Sequence, residues 1–122
     1  MTTESGVLSE TQYSFGTRFQ EGIGTNPDEL VAAALGGCFS MALSNELASA
    51  GHAPERIDTA VSATVEDSHA GWTLTRFQMD VHAKVPGVTT AAFMKAALAA
   101  KTDCPMARLL NANISMAASF DP

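Results

Sequence analysis

The chain has 122 residues, 46% of them hydrophobic, which is enough for one domain with a buried core. Thirteen acidic against seven basic side chains leave a formal charge of -6, and without a Lys/Arg cluster to follow a phosphate backbone, nucleic acid is not an expected partner. The opening MTTESGVLSE has neither a basic nor an apolar region, and the longest uncharged apolar run, LVAAALGGCFSMAL from Leu30 to Leu43, is shorter than the roughly 20 residues that span a bilayer, so a soluble cytoplasmic protein with no membrane partner is expected.

No repeat, low-complexity tract or linker interrupts the chain, so a single domain over 1–122 is expected. Residues 1–24 read as irregular, with YSFGTRF the only strand-like piece. TNPDEL then opens a helix: Asn26 is a good N-cap, Pro27 fits the first helical position, and Glu29 stands where a capping-box carboxylate reaches back. The helix is expected to run to about Ala50 and stop at Gly51. Being apolar nearly all round from Leu30 to Leu43, it should be covered on several sides. Gly36 and Gly37 weaken it and so imply close approach of another backbone, which a partner helix from a second subunit would supply.

Beyond Pro54 the period falls to two. Ile57, Val61, Ala63 and Val65 share one face, and the alternation resumes at Phe77 through Met79, Val81, Ala83 and Val85, with DSHAG as the turn of an antiparallel hairpin. PGVTTAAFMKAALAAKT predicts a second helix capped by Thr89 or Thr90, DCPMARLL a short third one, and ANISMAASF a closing strand. The sum is an α+β fold in which an antiparallel sheet packs on a long central helix.

Two cysteines in a reducing compartment are more often reactive, metal-binding or simply buried than permanently bonded. Cys104 precedes Pro105 and is the expected N-cap of the third helix, where the dipole favours a thiolate. Cys38 lies three turns inside an apolar helix, where burial alone raises a thiol above its free value of about 8.5 and makes it inert. A reactive Cys38 therefore needs a cation from elsewhere. Arg18, between Phe15 and Phe19, is the candidate, because a guanidinium at about 4 Å favours a thiolate by roughly 4 kcal/mol before desolvation. Asp28 and Glu29 are the carboxylates available to orient its fork. Each residue also has an ordinary reading: Cys38 as a small piece of core, Arg18 as a solvated loop side chain, Asp28 and Glu29 as complements to the helix N-terminus. His52, His69 and His82 have no ligand spacing to either cysteine, so no metal is expected.

Taken together, TRFQEGIGTNPDELVAAALGGCFSMALS and the later DCPMARLL resemble the OsmC branch of the OsmC/Ohr family over essentially the whole chain. The resemblance implies an intertwined homodimer with active sites at the subunit interface. It implies a thiol-dependent peroxidase that reduces organic hydroperoxides without haem, flavin, metal or other cofactor and is recharged by a dithiol reductant. By the same carry-over Cys38 is the peroxidatic cysteine, Cys104 the resolving one, and Arg18 the arginine that holds the thiolate. Asp28 takes the place of the family's arginine-orienting glutamate, one methylene shorter, with Glu29 a lesser substitute. The family's N-terminal hairpin is expected to be short or absent. Phe39, Met41, Phe15 and Phe19 are candidate pocket walls, with core packing as the equal alternative. The competing readings are a non-catalytic small-molecule-binding protein of the same fold and a redox sensor.

Overall fold

The computed structural model describes residues 1–14 and 23–122; Phe15, Arg18 and Phe19 lie outside the described residues. The elements are α1 (Pro27–Ser49), β1 (Arg56–Ser68), β2 (Gly71–Lys84), α2 (Thr90–Asp103), α3 (Pro105–Leu109) and β3 (Asn113–Asp121).

Helix α1 begins where its capping residues dictate. The Asn26 side chain accepts a hydrogen bond from the Glu29 N–H at 2.8 Å, and Pro27 fills the first helical position. The Glu29 carboxylate accepts from the Thr25 hydroxyl. At the other end Gly51 takes φ +88°, a conformation an L side chain resists, and the His52 N–H closes on the Leu47 carbonyl at 2.8 Å. Between these caps, Leu35, Phe39, Leu43 and Leu47 recur every fourth residue and are 0–1% exposed. They form one stripe packed with Phe77, Met79, Val81 and Ala83 of β2, Val85 just beyond it, and Phe93, Ala96, Ala97 and Ala100 of α2. Each large side chain in that stripe stabilises the fold by about 1.5–3 kcal/mol relative to exposure.

By length and composition alone α1 could cross a membrane. Its buried stripe is instead the centre of the core. The helix is not covered on all sides within the chain: Ala33, Ala34, Gly37 and Met41 face outward. The two glycines part company here. A Cβ on Gly36 would come within 3.0 Å of Val61 Cγ2 of β1, so the close approach is by a strand side chain and not by a helix. Among the described residues a Cβ on Gly37 would meet nothing within 4 Å outside its own helix.

Strands β1 and β2 form the expected antiparallel hairpin, with a tighter turn than the sequence implies: Ser68 pairs with Gly71, leaving only His69 and Ala70 between. A register shift between Thr64 and Val65 accounts for the break in alternation before Phe77. The sheet differs from expectation in one respect. β3 pairs with β2 in parallel, from Arg76 opposite Asn113 to Lys84 opposite Asp121, so the sheet is mixed and not wholly antiparallel. The reason is the connection: α2 and α3 carry the chain back across the sheet before β3 begins, and such a crossover returns a strand in the same direction. Period-two alternation marks a half-buried strand without revealing its direction. Phe120 of β3 anchors the crossover by packing on Phe93 of α2, ring centroids 4.6 Å apart.

Filling the space at Gly36 should separate α1 from β1. Gly36→Leu is expected to destabilise the protein by about 1–3 kcal/mol through overpacking against Val61, measured as a lower urea midpoint with unchanged slope.

Candidate functional site

Cys38 lies beside the buried stripe of α1, on the side that meets α2 and α3. It is half-buried and packs against the core. Cys104 sits at the joint between α2 and α3 and is 0% exposed. Its backbone is fixed by both helices: its N–H donates to the Ala100 carbonyl at 3.0 Å, and its own carbonyl accepts from the Arg108 N–H at 3.1 Å. The two sulfurs, 66 residues apart in sequence, stand 2.8 Å apart, with Cys104 Sγ donating to Cys38 Sγ. A disulfide needs about 2.0 Å, so bond formation requires less than about 1 Å of movement and no change of fold.

The electrostatics of Cys104 differ from the sequence expectation. Its thiol is raised above the ordinary value, first by burial and then by its hydrogen bond to Cys38, with the charge of Cys38 adding in the same direction. The backbone N–H groups of Met106 and Ala107, in the first turn of α3, pull the other way, but Cys104 makes no side-chain capping hydrogen bond and burial outweighs them. Sequence reasoning did not single out these two N–H groups. Pro105 was the available signal, because it fixes the turn that aims them.

Asp28 is half-buried in the first turn of α1 and lines a groove of about 290 Å³ with Asn26, Glu29, Ala32, Val61, Ser62, Ala63 and Val65. That groove opens along β1. Ten residues at 1.5 Å each place Asp28 about 15 Å along the helix from Cys38, so the structure does not bring the two together within one chain. Arg18 lies outside the described residues. Of the candidate pocket walls, Phe39 is wholly buried in the core, whereas Met41 is 76% exposed. Among the described residues no three His, Cys, Asp or Glu side chains gather as a metal site. His82 bonds Ser119 at 2.8 Å and Asp121 at 2.9 Å on the outer face of the sheet.

A further positioning pair escaped the sequence reading. The Ser40 hydroxyl, the only one in the run 30–43, hydrogen-bonds the Gly36 carbonyl at 2.8 Å and Thr59 Oγ1 at 2.7 Å. It ties α1 to β1 two residues from Cys38 and holds the helix at a fixed rotation. Thr59 breaks the apolar run on the inward face of β1 and was the signal for it.

Fold and site together define a class: α+β proteins with a dithiol between a central helix and the joint of two later ones. The sequence matches the family profile described as OsmC-like protein over residues 20–119. It is 40% identical over 116 residues to "Peroxiredoxin OsmC" of Escherichia coli K12, covering 95% of this chain and 81% of that protein. Two solved structures share the fold. An organic hydroperoxide resistance protein OsmC from Legionella pneumophila gives a TM-score of 0.69 at 19% identity, covering 99% of this chain and 87% of the other. The organic hydroperoxide resistance protein OhrB of Bacillus subtilis gives 0.67 at 21% identity, covering 98% and 87%. The chain belongs to the OsmC-like family.

The raised Cys104 thiol has a consequence for stability. Its proton is held more tightly in the folded chain than in the unfolded one, so the contribution is complete below the unfolded value and fades as pH rises through the folded one. The reduced protein is therefore expected to lose stability above about pH 9, and Cys104→Ala to flatten that decline relative to the native sequence, as followed by urea unfolding at a series of alkaline pH values.

Proposed function

We propose that the protein is a cysteine-based peroxidase that reduces organic hydroperoxides to alcohols, with Cys38 as the peroxidatic residue and Cys104 as the resolving one. The observation that carries this reading is the sulfur pair: two thiols 2.8 Å apart, one half-buried and one wholly buried. Only the half-buried sulfur can meet a substrate. The names of the relatives, a peroxiredoxin and two organic hydroperoxide resistance proteins, support the same chemistry.

The Cys38 thiolate attacks the distal peroxide oxygen. An S–O bond forms, the O–O bond breaks, and the alkoxide leaves to take up a proton as the alcohol, with Cys38 left as a sulfenic acid. Cys104 then attacks the sulfenic sulfur, an S–S bond forms, and the hydroxide leaves with the thiol proton as water. A dithiol reductant returns two electrons and two protons. Arg18 holds the Cys38 thiolate and faces the developing alkoxide, and Asp28 orients Arg18.

The site is shared between the subunits of a homodimer in the cytoplasm. Two features favour this. Asp28 lies about 15 Å along α1 from Cys38 and in a groove on a different side, so an Arg18 held by Asp28 serves the cysteine of the opposite chain more readily than its own. Among the described residues a Cβ on Gly37 would meet nothing within 4 Å outside its own helix, and with Ala33, Ala34 and exposed Met41 it makes an apolar strip fit for a second α1.

The test is turnover with an alkyl hydroperoxide under excess dithiol. The native protein is expected to consume many equivalents and Cys38→Ser none; consumption of a single equivalent by the native protein would identify a sensor, and of none a binding protein. Sharing of the site has its own readout. Inactive Cys38→Ser and Arg18→Ala chains, unfolded together and refolded as a mixture, should regain about a quarter of native activity per chain, since half the dimers are mixed and each has one intact site. A mixture as inactive as its parts would place Arg18 and Cys38 in the same chain's site.

A further inference from the structure

Two thiols in contact cannot both ionise, because like charges would then meet where burial has removed their solvent. The structure indicates which keeps its proton. Cys104 is 0% exposed and is the donor in the sulfur–sulfur hydrogen bond, whereas Cys38 is half-buried and is the acceptor. Ionising the outer sulfur leaves the charge nearer to solvent. Among the described residues the charged side chains flanking the joint, Lys101 and Asp103 of α2 and Arg108 of α3, form no hydrogen bond or ion pair with either sulfur. The contact between the thiols is thus the local polar interaction of Cys38 on this side.

We infer that the Cys104 S–H acts before any oxidation, as the hydrogen-bond donor that holds the Cys38 sulfur ionised, a positioning role distinct from its later part in the disulfide. The inference rests on the reading of Cys38 as the nucleophile.

The arrangement also orders the two steps in time. While Cys38 is a thiolate, its hydrogen bond and its charge add to burial in holding the proton on Cys104. Once Cys38 is a sulfenic acid, those two influences are gone and burial alone opposes the loss of the proton, with the first-turn N–H groups of Met106 and Ala107 pulling the other way. Cys104 then gives up its proton to the departing hydroxide as its sulfur bonds to that of Cys38, and water leaves. The resolving thiol is thus more readily ionised after there is something to resolve than before.

The experiment is site-resolved alkylation of Cys38 across pH in the native protein, Cys104→Ala and Cys104→Ser, with single-turnover oxidation by stoichiometric hydroperoxide in parallel. Cys104→Ala is expected to move the alkylation midpoint up by about one pH unit, lowering the rate near neutrality roughly tenfold, and to slow the first oxidation to match. Cys104→Ser, which keeps a donor, should recover part of both. A purely resolving cysteine leaves both unchanged, and equal midpoints in all three proteins would overturn the inference. Should the variants fail to fold, ultraviolet absorbance of the thiolates in the reduced native protein decides the matter: two separated steps are expected, and one merged step of double amplitude overturns it. Shifted midpoints without hydroperoxide consumption would leave the hydrogen bond standing and remove the peroxidase reading beneath it.

Discussion

The burial of Leu35, Phe39, Leu43 and Leu47 fixes the rotation of α1, and through it the surroundings of every other position on that helix. A stripe at every fourth residue allows one orientation of the helix against β2 and α2. With that face committed, Gly36 and Ser40 fall towards β1, where Val61 and Thr59 lock them. Cys38 falls on the opposite flank, against the joint of α2 and α3. Ala33, Gly37 and Met41 occupy what is left and are exposed among the described residues. The helix therefore has three destinations around its circumference, and the cysteine lies on the boundary of one of them.

The difference between the two thiols follows from this placement and not from their immediate sequences. Cys104 has the more favourable local signal for a thiolate, a capping position before Pro105, yet it is wholly buried and keeps its proton. Cys38 has the less favourable one, the middle of an apolar helix, yet it retains access to solvent. At Cys104 tertiary burial thus overrides the signal that local structure gives. A buried donor beneath a partly open acceptor suits a pair in which one member meets the substrate and the other waits.

Much of the architecture was legible because it depends on short-range chemistry. Asn26 and Pro27 at one end of α1, Gly51 at the other, and Thr89 before α2 marked boundaries that the structure keeps to within a residue. Alternation identified the three strands. The direction of β3 was not legible, since it depends on how far α2 and α3 carry the chain across the sheet. Nor was the assignment of Gly36 to a strand contact, because a glycine announces a close approach without naming the neighbour. The apolar run around Cys38 read as covered on all sides, and one side is open for the same reason: a sequence records that a face is apolar, not which chain covers it. The meeting of Cys38 and Cys104 came from the family resemblance. Nothing in their 66-residue separation or local patterns requires it.

That separation has a thermodynamic consequence for how the protein, as a peroxidase, is recharged. Closing a loop of 66 residues removes enough freedom from the unfolded chain to favour the folded, bonded state by about 4 kcal/mol. Through the thermodynamic cycle, the native bond is harder to break by the same amount than one between the same residues in an unfolded chain. A monothiol must open it in two separate encounters, and after the first the neighbouring Cys104 can reverse the exchange. A dithiol completes the second step within a single mixed disulfide, before Cys104 can return. Burial dictates where such a reductant attacks. In the proposed cycle Cys104 is inaccessible, so the attack falls on the Cys38 sulfur and Cys104 becomes the leaving thiolate, where the first-turn N–H groups of Met106 and Ala107 favour its charge. On that reading the same two N–H groups favour the charge on this sulfur both when it closes the bond and when it is expelled.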